Sequence, residues 1–587
     1  MKESNKFNLN EIDFSYLKSL SIDELFNVSK DIKNQIIKAC SKFGGHLSSN
    51  LGTTNLTISL CRVFDFNKDK IIFDIGHSTY AYKILTGRPL VNLRESNGVA
   101  GFSRVKESKY DFYDGGHSST SISAALGFAK ARDLNKEKYD VIAVIGDGSI
   151  ANGLPFEALN NLSTLNTKVI IILNDNEMSI APTKGGLHKV LKNLSDSEFI
   201  NNIFGENKLQ YLGPVDGDNF KEMEQAFLQA KNIKNSSLIH VRTKKGSGLK
   251  YAEEDKTGKF HFTPPFDIET GNQIIIFPQS KKSLSKYFSN LLDKELEENK
   301  KCVAICPSTT VGAELIDVFS KHKDRTFDVG ICEEHSLIFA SSFAMNNFKT
   351  YVLIYSTFLQ RAYDEIIHDI TRLNTKVTLL IDRCGLIGRD GETHQGIYDD
   401  GFLYSVPNLC VAMPKDEFDA KNLFEFQKSY DKPFAIRYTS FYMDNSFYKN
   451  NENEKINDFN WKILKKGNDN LCVVTFGPHI LDLYDRLVDD DVTIINALFI
   501  KGYDLNSIKM LLNYKKIYIY DPYGVESGFA SNVLLTLNKF SYKGEVIIKA
   551  IPLEFVNSGS ILEQEIIEKV DVESAYQEIK GIMNEGR

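Results

Sequence analysis

The sequence is short of the features that mark membrane, secreted and nucleic-acid-binding proteins. No apolar run approaches the length of a bilayer span, and the N-terminal twenty residues lack a basic start followed by an apolar stretch. The formal net charge is −7, so the chain has no overall basic excess that would attract nucleic acid or an acidic membrane surface. We therefore expect a cytoplasmic protein that has neither nucleic acid nor a membrane as its partner.

Cysteine is also scarce, with eight residues in a chain of 587. The cysteines are scattered, mostly within apolar runs, and no two of them form a CxxC pair. Cys302 and Cys306 lie in CVAIC, a pattern typical of a buried strand. Small core residues are therefore favoured over a metal site or disulfide bonds.

What the sequence does contain is an alternation of strand-like and helix-like patterns along almost its whole length. The strand-like runs fall into three sets: KIIFDI, YDVIAVIGDG, TKVIIILNDN and SSLIHVRT; then KCVAICPS, FDVGICEEH, YVLIYST and VTLLIDR; then LCVVTFG, VTIINALFI and KIYIYD. The runs SISAALGFAKARD and PFEALNNLS have the apolar spacing of helices. This alternation predicts an α/β fold of three doubly wound domains with mainly parallel sheets.

Two changes in composition mark the expected domain boundaries. Residues 263–282 contain prolines, a glycine and lysines, which suits a linker, and the polar residues 444–458 lose apolar periodicity. These boundaries predict domains at residues 1–275, 276–455 and 456–587.

Two strands of the first set end in small acidic and amide clusters, GDG and NDN. Asp147 and Asn176 lie 29 positions apart in these clusters. Because parallel strands end at the same edge of a sheet, where ligands bind, we expect both side chains at one site. Carboxylate and amide oxygens suit Mg²⁺ that holds a diphosphate. The alternative is that GDG is a turn and NDN a cap.

Several longer segments resemble the 1-deoxy-D-xylulose 5-phosphate synthase family, relatives of transketolase that use thiamine diphosphate. The matching segments are GGHLSSNLG, IGHSTYAYKILTGR, GHSSTSISAALG, the GDG and NDN clusters, NDNEMSI, GPVDG, DVGICEEH, YSTFLQRAYDEIIHDI and IDRCGLIGRDGETHQGIYDDGFL. They occur in the family's order from about Phe43 to about Leu534. The resemblance implies a diphosphate-binding domain, a pyrimidine-binding domain and a C-terminal transketolase-type domain, in a homodimer.

The resemblance also implies the reaction and its cofactors. Pyruvate would condense with glyceraldehyde 3-phosphate, with loss of carbon dioxide, to give 1-deoxy-D-xylulose 5-phosphate. Thiamine diphosphate and Mg²⁺ would be the cofactors, and the metal ligands would be Asp147, Asn176 and the backbone carbonyl of Met178. The further implied cofactor-binding residues are His77, His117, Ser118, Gly146, Gly148, Lys245, Glu333 and Phe358. For Lys245 a solvated basic turn is the alternative.

Glu333 is the strongest catalytic candidate, with the adjacent Glu334 as the competing assignment. Thiamine enzymes need a carboxylate against the pyrimidine ring, and the cofactor then supplies the carbanion chemistry. From the residues alone, a glutamate after a strand is usually an acid at the start of a helix, where the helix dipole favours it.

Four histidines lie next to glycine or small polar residues in segments that match the family: His46, His77, His117 and His394. The resemblance favours an active site lined with imidazoles, which suit proton transfer near neutral pH. His46, His77 and His394 are the implied catalytic histidines, and each on its own could instead be a structural hydrogen-bonding residue. The other histidines are expected to be mainly structural, with His261 the strongest exception.

The implied substrate-binding residues come mainly from the second domain. They are His46, Tyr355, Arg361, Arg383, Asp390 and His394. Guanidinium groups suit carboxylate and phosphate oxygens because they form paired hydrogen bonds. A buried ion pair, such as Asp390 with an arginine, is the alternative for these charged residues.

The chain departs from the family pattern at several positions. In AIRYTSFYMD, Arg437 is retained, but Ser440 stands where a second arginine is usual, and a serine has neither the charge nor the paired donors for phosphate. Tyr82 and Asp218 stand where the family has histidine, and residues 177–212 form a shorter segment than the family's, which bears on gating of the site.

These departures leave two alternatives beside the synthase reaction. One is an acyloin-forming thiamine enzyme that uses pyruvate with a different acceptor aldehyde. The other is a cofactor-binding paralogue without activity, against which the retained Glu333, Asp147 and Asn176 argue.

Overall fold

A computed structural model describes residues 14–177, 185–193, 208–255, 257–274, 280–451 and 454–585. The chain divides into two compact units, Met1–Ile276 with Gly330–Cys332, and Phe277–Val329 with Glu333–Arg587. Within the described ranges, no helix is long and apolar enough to span a membrane.

The first unit is built on one five-stranded parallel sheet. Its strands are β1 Lys70–Phe73, β2 Val141–Gly146, β3 Ile170–Asp175, β4 Leu209–Asp216 and β5 Ser236–Arg242, in the order β1-β2-β3-β5-β4. Every residue of β3 is buried, as expected where helices cover both faces of a parallel sheet. The helices are Phe14–Ser19, Ile22–Phe43, Ser48–Gly52, Thr54–Val63, Tyr80–Leu85, Ser121–Asn135, Asp147–Ile150, Gly153–Leu162, Gly186–Asn193, Phe220–Asn232 and Lys250–Glu253.

The long helix Ile22–Phe43 delivers the chain to the first glycine-rich segment. It begins at a capping box formed by Ser21 and Glu24, which satisfies backbone donors of its first turn. It ends at Gly44, whose φ of 74° lies in the left-handed region, and a Cβ added there would lie 2.8 Å from the Thr263 carbonyl oxygen. Gly45 and Thr263 then exchange backbone hydrogen bonds of 2.8 and 2.9 Å. This bridge fixes the path of the chain immediately before His46.

Among the described residues, the second unit contains two larger sheets and one short antiparallel pair of strands that are distant in sequence. The strands are β6 Lys281–Ser283, β7 Cys302–Cys306, β8 Thr326–Asp328, β9 Lys349–Tyr355, β10 Val377–Asp382, β11 Cys410–Ala412, β12 Phe434–Arg437, β13 Phe441–Met443, β14 Lys462–Lys465, β15 Leu471–Thr475, β16 Thr493–Asn496, β17 Phe499–Lys501, β18 Lys516–Val525 and β19 Glu545–Ile551. The sheet orders are β17-β11-β12-β10-β9-β7-β8 and β14-β16-β15-β18-β19, with β6 paired to β13. Within the described residues, β17 and β14 are the strands that run antiparallel to their neighbours in the larger sheets.

Helices accompany these strands in the second unit. The α-helical segments are Leu284–Glu298, Ile316–Lys321, Glu333–Met345, Ser356–Leu359, Tyr363–Glu365, Asp399–Tyr404, Glu417–Ser429, His479–Leu487, Leu505–Leu511, Phe529–Lys539, Ile561–Ile567 and Val572–Glu585. Short 3₁₀ turns cover Gln360–Ala362 and Gly391–Thr393, and Ile366–Thr371 is π-helical. The prediction of an α/β fold with mainly parallel sheets is therefore confirmed, whereas the division into three domains stays a prediction.

Two strand predictions in the second unit are wrong in detail. Within FDVGICEEH only the first residues are extended, in β8, and a helix begins at Glu333. The run VTIINALFI is split into β16 and β17, which belong to different sheets. β17 pairs with β11, so the larger sheet contains a strand from beyond the predicted boundary at residue 455.

The cysteines are free thiols, as predicted. Seven are buried and Cys332 is partly exposed. Burial raises the pKa of Cys302 and of Cys306 to about 12. No group of three or more metal-ligating side chains occurs in the described part of the chain.

A cluster of buried acids lies between the two larger sheets of the second unit. Arg437 donates from Nε and Nη2 to both carboxylate oxygens of Asp399, at 2.7 and 2.8 Å. Asp400 and Asp521 lie beside this pair, and both are buried. Burial raises the pKa of Asp521 well above its ordinary value, and the neighbouring Asp400 carboxylate raises it further. One guanidinium cannot neutralise three carboxylates, so the protonated form of Asp521 is favoured.

The raised pKa of Asp521 predicts a pH-dependent stability. Because the folded-state pKa exceeds the unfolded one, the stabilisation is complete below about pH 4 and is lost as pH rises through the folded-state pKa. In the original protein, the unfolding free energy is expected to fall as pH rises from about 5 to 8. In Asp521→Asn this slope is expected to be shallower, by up to about 1.4 kcal/mol per pH unit. Urea unfolding at several pH values measures this, and Asp469→Asn, whose side chain is 66% exposed, is the control. If Asp521→Asn left the slope of unfolding free energy against pH unchanged, the raised pKa of Asp521 would be contradicted.

Candidate active site

The carboxyl ends of β2 and β3 bring the two oxygen clusters of the first unit together. The two strands are parallel neighbours, with Gly146 opposite Asn174. Asp147 follows β2 directly, begins the short helix Asp147–Ile150 and is buried. Asn176 follows the end of β3. The predicted metal ligands Asp147 and Asn176 therefore lie at the same edge of the sheet, and the third, Met178, lies outside the described residues.

The other two residues of the NDN cluster have structural partners. Asn174 Oδ1 accepts a hydrogen bond of 2.7 Å from Thr243 Oγ1. Asp175 Oδ2 lies 2.8 Å from His240 Nε2. Burial opposes ionisation of Asp175, but the His240 contact and the Glu177 backbone N–H lower its pKa below the usual range. Asn174 and Asp175 therefore have structural contacts within the first unit.

Lys245 places a cationic group beside these oxygens. Its side chain is buried, and burial lowers its pKa to about 8, although the carboxylates of Asp147 and Asp255 favour the charged form. The next residue, Gly246, donates its backbone N–H to the Ser48 carbonyl at 2.9 Å. The lysine is thus held within the unit rather than on a solvated basic turn.

Three imidazoles form a triangle in the same unit. The distance between ring centroids is 5.3 Å for His46 and His77, 5.7 Å for His46 and His261, and 5.5 Å for His77 and His261. Burial lowers the pKa of His261 well below its ordinary value, and Lys245 and the other two histidines lower it further. His261 therefore stays neutral, and its Nδ1 has no hydrogen-bond partner within the described residues.

Asn50 fixes two of these histidines and was missed by the sequence interpretation. Its Nδ2 donates to the backbone carbonyls of His46 and His77, at 2.6 Å each. Its Oδ1 accepts the backbone N–H of Tyr80 at 2.7 Å. One fully buried amide therefore sets the separation of the two histidine-bearing segments. The only indication in the sequence is its place in GGHLSSNLG.

The segment that carries His117 and Ser118 is tied to the end of β1. Asp74 accepts the backbone N–H groups of Ser119 and Ser121, at 2.8 and 3.0 Å. Ser119 Oγ in turn donates to the Ser149 carbonyl in the helix that begins at Asp147, at 2.9 Å. The structure thus links the His117 segment to the Asp147 segment through side-chain hydrogen bonds.

Two of the departures from the family pattern have structural roles in this chain. Tyr82 is buried against Phe66 and Phe73, and its hydroxyl donates to the Tyr110 carbonyl at 2.7 Å. Asp218 is exposed and accepts a hydrogen bond of 3.1 Å from Asn55. Neither residue belongs to the imidazole triangle.

In the second unit, Glu333 is a buried carboxylate at the start of a helix. Its side chain is 5% exposed, and Arg361 Nη1 donates to its Oε2 at 3.1 Å. Burial raises the pKa of Glu333, while the Arg361 charge opposes the shift. Glu334 is only partly buried. Burial therefore distinguishes the two candidate glutamates, and Arg361 is the partner of Glu333.

Arg383 is held close to Tyr355. The guanidinium carbon lies 3.8 Å from the centre of the Tyr355 ring. Arg383 Nη1 donates to Asp382 at 3.0 Å and Nη2 to the Gly312 carbonyl at 3.2 Å. The carboxylate that pairs with Arg383 through Nη1 is therefore Asp382.

Gly312 makes this approach possible, and the sequence interpretation missed it. A Cβ at residue 312 would lie 1.9 Å from the Tyr355 hydroxyl and 3.0 Å from Arg383 Nη2. Any side chain there would displace both groups.

Phe358 and His394 join the same cluster of side chains. Phe358 stacks on Tyr355 with 5.6 Å between ring centroids, and its edge-to-face partner is His394 at 5.7 Å. His394 Nδ1 lies 2.8 Å from Thr393 Oγ1. The structure thus brings together Tyr355, Phe358, Arg383 and His394.

In the AIRYTSFYMD segment, Arg437 and Ser440 lie in different environments. Arg437 is fully buried in the acid cluster described above, so it is a structural residue. Ser440 is partly exposed, and its hydroxyl donates to Asp382 Oδ1 at 3.2 Å. The position of the expected second arginine therefore contacts the carboxylate partner of Arg383.

Comparison with known proteins identifies the family. The family model described as 1-deoxy-D-xylulose-5-phosphate synthase matches residues 9–203 and 197–243, and that of the transketolase pyrimidine-binding domain matches residues 280–440. Among solved structures, transketolase from Campylobacter jejuni is 15% identical, with a TM-score of 0.44, over 97% of this chain and all of that one.

Curated relatives match over nearly the whole chain. The 1-deoxy-D-xylulose-5-phosphate synthase of Macrococcus caseolyticus is 41% identical, covering 84% of this chain and 85% of the relative. The synthase of Geobacillus sp. is 39% identical over 96% of both chains. The synthase of Listeria monocytogenes is 40% identical, covering 94% of this chain and 93% of the relative. This protein therefore belongs to the 1-deoxy-D-xylulose-5-phosphate synthase family.

Proposed function

We propose that this protein condenses pyruvate with glyceraldehyde 3-phosphate, releasing carbon dioxide and forming 1-deoxy-D-xylulose 5-phosphate. The reaction is the one named by relatives about 40% identical over most of the chain. The structural observation that carries the proposal is the burial of Glu333 beside Arg361, in a segment that matches the family. The similarity favours this reaction over one with a different acceptor aldehyde.

The cofactors of the proposal are thiamine diphosphate and Mg²⁺. Asp147 and Asn176 supply hard oxygen donors at one sheet edge, a donor set that fits Mg²⁺. The buried Lys245 offers a positive charge for a diphosphate. Gly146 and Gly148 flank Asp147, and His77, His117 and Ser118 lie on segments tied to its neighbours. When bound, thiamine diphosphate supplies the carbanion chemistry that decarboxylation of a 2-oxo acid requires.

Glu333 has the properties needed for a carboxyl that exchanges a proton with a heterocyclic nitrogen. Burial favours its protonated form, and the hydrogen bond from Arg361 fixes the orientation of its carboxyl group. Glu333 would hold the pyrimidine ring of thiamine diphosphate and supply the exchangeable proton for a ring nitrogen. Phe358 offers an aromatic surface in the same unit.

The histidines of the first unit suit proton transfer to and from substrate oxygens. His46, His77 and His261 lie within one triangle, and the low pKa of His261 keeps its ring nitrogen available as an acceptor at neutral pH. In the second unit, His394, Tyr355, Arg383 and Asp390 are the proposed substrate-binding residues, with Arg383 as the group for an anionic oxygen. We also propose a homodimer in the cytoplasm.

Replacement of Glu333 tests its catalytic role. Glu333→Gln removes the exchangeable acid while retaining the side-chain volume, so we expect carbon dioxide release from pyruvate to fall by about 100-fold or more. Glu334→Gln, the matched control at the adjacent position, is expected to retain activity within about twofold. Both rates are measured with glyceraldehyde 3-phosphate present, after unfolding curves establish that the variants fold. An active Glu333→Gln variant, or equal losses in the two variants, would overturn the assignment.

The acceptor is tested by comparing glyceraldehyde 3-phosphate with glyceraldehyde. A charge-assisted hydrogen bond from Arg383 is available only to the phosphorylated aldehyde, so we expect its kcat/KM to be higher by about tenfold or more. Carbon dioxide release and the sugar product are measured together. Release only with a different aldehyde would support the alternative acyloin-forming activity, and no release with any aldehyde would refute an enzymatic function.

A further inference from the structure

We propose that Ser440 is a positioning residue, which acts with Ser285 to hold the Asp382 carboxylate so that it fixes the Arg383 guanidinium for an anionic substrate. The inference rests on the proposed function, in which Arg383 binds the phosphorylated aldehyde. The Ser440 hydroxyl thus has a structural role, although it cannot replace the phosphate-binding arginine that is usual in the family at this position.

The Asp382 carboxylate is the centre of this arrangement. It ends β10 and is fully buried, so its oxygens need hydrogen-bond donors from the protein. Oδ1 accepts from Ser440 Oγ at 3.2 Å and from the Arg383 backbone N–H at 2.7 Å. Oδ2 accepts from Ser285 Oγ at 2.8 Å and from Arg383 Nη1 at 3.0 Å. Each oxygen thus receives one serine hydroxyl and one donor of Arg383.

The two serines reach the carboxylate because their backbones are paired. Ser440 precedes β13, whose Phe441 lies opposite Ser283 of β6. The Ser440 carbonyl also accepts the Leu284 backbone N–H at 3.0 Å. Ser285 is therefore held beside Ser440 at the start of the helix Leu284–Glu298. The short antiparallel pair sets the positions of both hydroxyls.

Arg383 needs this support because its conformation is constrained. Its φ of 61° is in the left-handed region, which is unfavourable for a residue with a side chain. The guanidinium is held by Asp382, by the Gly312 carbonyl and by the Tyr355 ring. Its side chain is nevertheless 29% exposed. The Asp382 carboxylate and the Gly312 carbonyl accept from Nη1 and Nη2, and the Tyr355 hydroxyl also contacts the guanidinium, so its five N–H donors exceed these three partners.

The hydroxyls act on orientation as well as on charge. Burial raises the pKa of Asp382, and Arg383 and the two serine hydroxyls favour its ionised form. Without Ser440, the only donor remaining to Oδ1 among the described contacts is the backbone N–H of Arg383. The carboxylate plane is then less restricted, and the guanidinium that depends on it loses part of its fixed orientation.

The experiment measures steady-state kinetics of Ser440→Ala and Ser285→Ala with both substrates. We expect the KM for glyceraldehyde 3-phosphate to rise about five- to twentyfold in each variant, with the kcat and the KM for pyruvate within about twofold of the original values. Ser440→Thr, which keeps the hydroxyl, is expected to restore the KM. With unphosphorylated glyceraldehyde the same substitutions are expected to have no effect on KM.

A matched control lies one helical turn beyond Ser285. Ser289 is also buried, and its hydroxyl donates to the Glu314 carbonyl at 2.7 Å rather than to Asp382. Ser289→Ala therefore removes a buried hydroxyl from the same helix, and we expect it to leave the KM for glyceraldehyde 3-phosphate unchanged. An equal rise in Ser289→Ala would attribute the effect to general destabilisation and overturn the proposal.

The remaining outcomes separate this inference from the proposed function. If the original protein is active and Ser440→Ala has the same KM for glyceraldehyde 3-phosphate, the positioning role is overturned and the proposed function stands. An original protein that forms no 1-deoxy-D-xylulose 5-phosphate overturns the function itself. If Ser440→Ala does not fold, the comparison of Ser440→Thr with the isosteric Ser440→Val decides, because only the threonine retains the donor. Equal KM values in that pair overturn the proposal.

Discussion

Burial of charge at the carboxyl ends of parallel strands is the constraint on which the site depends. Asp74 follows β1, Asp175 ends β3 and Asp382 ends β10, and all three are buried. Helices cover both faces of such sheets, so water is excluded and each carboxylate must find donors in the protein. The donors come from neighbouring loops. The acids therefore hold in place the same loops that carry the candidate functional residues.

Burial also shifts the pKa values of three candidate functional residues. It raises the pKa of Glu333, lowers that of Lys245 and lowers that of His261. In each case a neighbouring charge modifies the shift, as Arg361 does for Glu333. Each shift favours the neutral form of the group.

The sequence was sufficient to predict the α/β class and the strand ends at which Asp147 and Asn176 lie, because both follow from short-range patterns. It did not indicate that Asp175, next to Asn176, pairs with His240, which is 65 residues away. His261 joins the imidazole triangle only through the pairing of Gly45 with Thr263. Ser440 was read as a missing charge, because its contact with Asp382 depends on the turn between β12 and β13.

β17 has a consequence for the independence of the C-terminal region. This strand, Phe499–Lys501, comes from the region after residue 455 but covers the edge of β11. An uncovered strand edge presents unpaired backbone groups that recruit other chains into aggregates. The C-terminal region thus covers a sheet edge that would otherwise be open to intermolecular strand pairing, so removal of this region is expected to promote aggregation of the remainder.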